Sequence, residues 1–134
     1  ELKFGKGDAI TIGELKTRIV SSNEVSLSKN DFLRFNLSES YKVYILDYGI
    51  YDQDKIELKI NNKIAEIITI EKNRYYFDLN KNQQKNIIKI KGVSKGTVPP
   101  ITSLIVIENT RGKILNQINL KLNEDDICKL EINF

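Results

Sequence analysis

Lys55-Ile56-Glu57-Leu58-Lys59-Ile60 alternates charged and aliphatic residues without a break. On an extended chain successive side chains point to opposite faces, so this segment has one apolar face and one charged face. A helix would scatter the same residues around its circumference. The stretch is therefore a half-buried strand. Asn61-Asn62 follows, and Asn tolerates the positive φ that a tight type I′ hairpin turn requires. The apolar residues of 64–70 then run back as the partner strand.

Comparable segments lie at 15–20, 32–37, 42–46, 75–79, 87–91, 103–107, 114–122 and 127–133, separated by polar turns such as Asn-Thr-Arg-Gly-Lys at 109–113. The gaps suit hairpins and leave no room for the crossover helices of a parallel α/β sheet. No window sustains a helical period, and the apolar residues are dominated by Ile, which favours pleated surfaces. The expected fold is an all-β, antiparallel β-sandwich of roughly eight to ten strands. Its 134 residues suit one domain. That domain is placed at 14–134, after an N-terminal arm or edge strand at 1–13 that carries Gly5, Gly7 and Gly13. No internal repeat or linker interrupts it.

Two strands invite a closer reading. Ser103-Leu104-Ile105-Val106-Ile107 is apolar on both faces, which suits a strand covered on each side. In the last strand Cys128, Leu130, Ile132 and Phe134 share one face, opposite Lys129, Glu131 and Asn133. Cys128 is thus expected as a small buried hydrophobe; a reactive thiol would want a cationic, partly exposed setting.

The residues that are missing narrow the chemistry. The chain has no His and a single Cys, which removes the usual zinc sites, Ser-His-Asp triads and Cys-His dyads. Its carboxylates alternate with apolar residues on strand faces or sit in turns such as 123–126. Nothing pairs two of them across a cleft as a glycosidase would, so no enzyme is expected. The net charge is only +3, with the lysines spread through every segment. Nucleic-acid binding would ask for a basic stripe with interleaved aromatics. No apolar run reaches the roughly 20 residues of a membrane-spanning helix.

One loop stands out. Asp47-Tyr48-Gly49-Ile50-Tyr51-Asp52-Gln53-Asp54 packs three aspartates and a glycine between two strands. Asp47, Asp52 and Asp54 with backbone carbonyls could hold a hard cation such as Ca²⁺, although the spacing of an EF-hand loop is absent. The competing reading is a turn lock, with at least two of the three carboxylates accepting backbone N–H groups from residues 49–56. The turn lock is the expected role. Tyr48 and Tyr51 in this loop, with Tyr44, Tyr75 and Tyr76, are candidates for an aromatic sugar platform, against the plainer reading of packing residues with wet hydroxyls.

Residues 46–63, "LDYGIYDQDKIELKINNK", and residues 87–113, "IIKIKGVSKGTVPPITSLIVIENTRGK", carry a further signal. The first resembles a pattern Asp-x-Gly-x-x-Asp-Gly-Asp, a strand, then Asn-Gly-Lys. The second resembles its companion, a strand, Gly-Thr/Ser-x-Pro-Pro-Asn-Thr and a second strand. Together they resemble an uncharacterised secreted β-sandwich domain of Bacteroidetes-type bacteria, over the chain from about residue 41 onward. Gln53 and Asn62 stand where that pattern has glycine, and Ile101 where it has Asn. The resemblance implies a β-sandwich and an exported setting (secreted, periplasmic or cell surface, with its signal peptide removed). It implies no activity.

The two motifs are expected to meet at one end of the sandwich, because Pro99 and Pro100 make 96–100 a rigid crossing rather than a strand. The functional expectation is a non-catalytic structural or binding domain of an exported bacterial protein, with a protein or glycan partner at the cell surface. The alternatives are a carbohydrate-binding module, Ca²⁺-assisted if the Asp loop holds an ion, and an adaptor that binds a protein through an exposed edge strand.

Overall fold

The computed structural model of the protein describes residues 10–12, 15–20, 23–47, 53–94 and 101–134. They form twelve strands and, among these residues, no helix. In chain order the strands are β1 (Ile10–Ile12), β2 (Leu15–Ile19), β3 (Glu24–Leu27), β4 (Asp31–Asn36), β5 (Tyr41–Leu46) and β6 (Lys55–Ile60). Then come β7 (Glu66–Thr69), β8 (Tyr75–Tyr76), β9 (Lys85–Ser94), β10 (Ile101–Asn109), β11 (Ile114–Leu122) and β12 (Ile127–Asn133). Seven form one sheet in the order β1-β2-β4-β12-β9-β6-β7; the other five form β3-β11-β10-β5-β8. Among the described residues no helix is long and apolar enough to cross a membrane.

The two sheets share one core. From the larger sheet come Leu33, Phe35, Ile56, Leu58, Ile88, Ile90, Cys128, Leu130 and Ile132; from the smaller come Leu27, Val43, Ile45, Ile101, Ile105, Ile107, Ile118 and Leu120. These are the alternate, inward positions of each strand, so period-two patterning is what closes the sandwich. β10 lies in the middle of its sheet, in keeping with its doubly apolar sequence. Cys128 is buried, and that burial pushes its thiol far above the ordinary value.

The all-β sandwich stands, and antiparallel pairing dominates, but three ladders are parallel: β2 with β4, β4 with β12, and β3 with β11. Two of the three, β3 with β11 and β4 with β12, follow from two corners where the chain changes sheet. At the β3–β4 corner Asn30 has φ 65°, and Asp31 Oδ2 accepts the Ser28 N–H at 2.7 Å. At the β11–β12 corner Asp125 has φ 67°, and Asp126 Oδ2 accepts the Asn123 N–H at 2.8 Å. Each corner is a left-handed residue followed by an Asp that holds the backbone three residues earlier. Strands entering and leaving two like corners side by side must run in the same direction. β3 carries only two apolar residues in four, too short a signal to read as a period.

The hairpin at Asn61-Asn62 differs in detail from the tight type I′ turn. Asn61 has φ 53°, and Asn62 is not among the residues with positive φ. The Lys63 N–H meets the Ile60 carbonyl at 3.0 Å, and pairing resumes only at Leu58↔Glu66. The reason is that the Asn61 side chain serves β9: its Oδ1 accepts the Ile87 N–H at 2.8 Å. Ile64 and Ile67 are left exposed on the edge hairpin.

Candidate binding sites at the two ends

β5 ends and β6 begins at the end of the sandwich where the Asp-rich segment lies. Tyr48, Tyr51 and Asp52 lie outside the described residues, as do Pro99 and Pro100. Asp47 and Asp54 are both buried there. The Asp47 N–H bonds the Glu71 carbonyl at 2.8 Å, and the Asp54 carbonyl accepts the Ile70 N–H at 2.8 Å. Asp54 Oδ2 accepts the Thr102 N–H at 3.3 Å, at the start of β10. Lys55 pairs with Ser94 at the close of β9. The residues that flank the two motifs therefore meet at one end.

Gln53, which stands where the resembled pattern has glycine, adopts φ 64°. The backbone keeps a conformation suited to glycine although the side chain has changed. Among the described residues no three His, Cys, Asp or Glu side chains converge so as to hold a metal ion.

The tyrosines divide. Tyr44 and Tyr76 meet on the outer face of the smaller sheet, ring centroids 5.3 Å apart at 58°. Tyr75 turns the other way, its hydroxyl bonding Glu66 Oε2 at 3.1 Å. Three charged residues that sequence reasoning passed over complete the Tyr44–Tyr76 group. Buried Glu108 accepts the Tyr44 O–H at 3.0 Å and lies 3.3 Å from Lys42 Nζ. The Arg74 guanidinium stands 4.5 Å above the Tyr44 ring. Burial, then the bond to Glu108, push the Tyr44 hydroxyl above its ordinary value. With Tyr44 only 3 % exposed, the group clamps the short edge strand β8 onto β5 rather than offering two open rings. Register could have revealed it, since Tyr44 faces both Tyr76 and Val106 while Lys42 faces Glu108.

The opposite end holds a pocket of about 330 Å³, walled by Tyr41, Phe77, Leu79 and Phe134, with Ser40, Lys42, Asp78, Lys81, Gln83 and Thr110 around it. Tyr41 and Phe134 rings lie 6.4 Å apart, inclined by 36°. Its base is buried Asn86. The Asn86 carbonyl accepts from Asn61 Nδ2 at 2.9 Å and from the Asn80 N–H at 3.1 Å. Its amide nitrogen donates to the Asn80 carbonyl and to the Tyr41 hydroxyl, both at 3.3 Å. Two donors and two lone pairs are all that this side chain has, so Asn86 is saturated.

That saturation orients Tyr41. Its oxygen accepts from Asn86, and among the described residues no acceptor takes its own proton. The hydroxyl therefore remains a donor at the wall of the pocket. Burial raises the Tyr41 hydroxyl above its ordinary value and the Asn86 bond lowers it in part, leaving the group protonated across the physiological range. Of the pocket's key residues the sequence singled out only Phe134, as part of the buried face of the last strand, but it follows the end of β12 and stands exposed at the pocket wall. Tyr41, Phe77 and Asn86 went unremarked because they come from segments far apart in the chain. Matched against family models, curated proteins and solved structures, the chain finds no counterpart.

Proposed function

We propose that this chain is a non-catalytic binding domain of an exported bacterial protein, and that its end pocket takes the terminal residues of a neutral glycan. One observation carries the reading: the Tyr41 hydroxyl is held as a donor by Asn86 inside a pocket whose walls include Phe77 and Phe134. A sugar ring asks for both parts, since its C–H faces pack on aromatic surface and its hydroxyls accept and donate at fixed points. The volume stands near the lower end of the roughly 300–1,000 Å³ typical of small-ligand sites. The polar rim offers both donors (Lys42, Lys81) and acceptors (Asp78, Gln83).

The exported setting and the kinship with secreted Bacteroidetes-type sandwiches belong to the same proposal. They draw support from the left-handed backbone at Gln53 and from the meeting of the two motifs' flanks.

A glycan array followed by calorimetry on the best ligand tests the pocket. Tyr41→Phe, which removes one oxygen, should weaken binding about tenfold without changing the fold, in line with a lost hydrogen bond of roughly 1–1.5 kcal/mol. Phe134→Ala should weaken it further. Binding that ignores both substitutions, or the absence of any glycan ligand, would sink the proposal.

A further inference from the structure

Lysines that look scattered in the sequence are gathered by the register of the larger sheet. Lys59 on β6 lies directly opposite Lys89 on β9, and Lys89 lies directly opposite Lys129 on β12. The three share the outer face, since their neighbours Leu58, Ile60, Ile88, Ile90, Cys128 and Leu130 all point into the core. Three cations thus form a straight row across adjacent strands, at steps of about 4.8 Å. Like charges placed directly opposite in a sheet oppose folding.

The surrounding carboxylates do not answer this row. Glu131 is occupied at one end of the face by Arg34 and Lys85. Lys91 meets Asp125 at 4.0 Å. Lys129 stands 5.9 Å above the Phe32 ring. Among the described residues Lys59 and Lys89 form no ion pair, and Glu57, two residues from Lys59 on the same strand, lies directly opposite Lys91. A shallow hollow of about 230 Å³ opens here, lined by Glu57, Lys59, Lys89, Lys91 and the small side chain of Ala65. On the other outer face, by contrast, Glu108 is matched by Lys42 and Arg74.

We infer that this face docks an acidic polysaccharide, whose carboxylate or sulfate groups lie along the Lys59–Lys89–Lys129 row. Charge complementarity selects an anion, and a straight row on a flat sheet suits a linear polymer bearing an anionic group at regular intervals. Single-stranded nucleic acid would want open aromatic rings for stacking, whereas Phe32, the aromatic beside the row, already lies under Lys129. The surface is separate from the end pocket and does not depend on the ligand proposed there.

The test is binding of a heparin-derived oligosaccharide and of polygalacturonate to the whole chain, with neutral dextran, single-stranded DNA and phosphatidylglycerol-containing vesicles as competitors. The wild type should bind the acidic glycans, with affinity falling as salt rises. Lys59→Gln, Lys89→Gln and Lys129→Gln combined should lower affinity at least tenfold. Each single change should flatten the salt dependence by about one lysine's share, roughly 0.7–0.9 in log–log slope by analogy with nucleic-acid phosphates. Glu57→Gln should strengthen binding, a result that a merely unfolded variant could not produce. Tyr41→Phe should leave it unchanged. The inference fails if the triple variant binds as well as wild type, if DNA or vesicles are bound in preference, or if no acidic glycan binds at physiological salt.

Discussion

Replacing Gly92 by Ala should cost this domain more than any surface change of similar size. Gly92 sits in β9 directly beneath the β11–β12 corner. Its N–H donates to the Asp126 carbonyl and its carbonyl accepts the Asp125 N–H, each at 2.9 Å. A Cβ there would lie 3.1 Å from the Asn123 carbonyl carbon, with the carbonyl oxygen nearer still, and 3.2 Å from Ile101 Cδ1. The obstacle is backbone rather than a yielding side chain, so the corner must retreat by about an ångström. Two backbone hydrogen bonds then lengthen together, each worth about 0.5–1.5 kcal/mol net and more if a buried partner is left unmet. Ala restricts the unfolded chain and returns about 0.4–1 kcal/mol. With one of the two buried groups left unmet, at about 1–3 kcal/mol, and the other bond weakened, the net loss should be roughly 2–3 kcal/mol, a fall in melting temperature of about 6–15 °C for a domain of this size. Gly112→Ala is the comparator: φ there is 85° but nothing lies within 4 Å, so only the left-handed penalty of about 1–2 kcal/mol applies. Urea unfolding of both variants reads the difference. If Gly92→Ala proved no worse than Gly112→Ala, the close approach of corner and strand would be refuted.

Other outcomes follow from single groups. Burial pushes the Glu131 carboxyl up, but Asn133, Arg34 and Lys85 together bring it below its ordinary 4.5. Its stabilisation is thus present above that value and lost as pH falls through the depressed one. Glu131→Gln should cost about 1–2 kcal/mol at neutral pH, given two partly exposed cationic partners, and progressively less as pH falls below the ordinary carboxylate range; a cost that did not shrink on acidification would contradict this. Gln53→Gly should raise the melting temperature by a few degrees, because relief of a left-handed Gln at about 1–2 kcal/mol outweighs the glycine's entropy cost of about 0.5–1 kcal/mol; a fall in calorimetry would count against it. Among the described residues Ser103 Oγ is buried without a hydrogen-bond partner, so Ser103→Ala should stabilise by up to about 1 kcal/mol, and a loss by urea titration would mean that the hydroxyl is in use.

Sequence alone determined most of the strands and which face of them is buried, because alternation is a local property of the chain; β3, with two apolar residues in four, was too short to show it. Lys55–Ile60 needs no neighbour to declare its apolar side, and Cys128, Leu130 and Ile132 needed none to be placed in the core. It also showed where the chain turns, since Asn and Asp carry their own backbone acceptors: Asp31 and Asp126 lock corners by the chemistry expected of the Asp-rich loop. Sheet membership, parallel pairing and register were decided only by the tertiary structure, for they depend on which strand lies beside which. Register set Lys59, Lys89 and Lys129 in a row, although 30 and 40 residues separate neighbours along it. The end pocket has the same origin. Tyr41 and Asn86 lie at the start of β5 and β9, whereas Phe77 and Phe134 follow β8 and β12. They come together because antiparallel pairing returns those strand ends to one place, and no local pattern can report that.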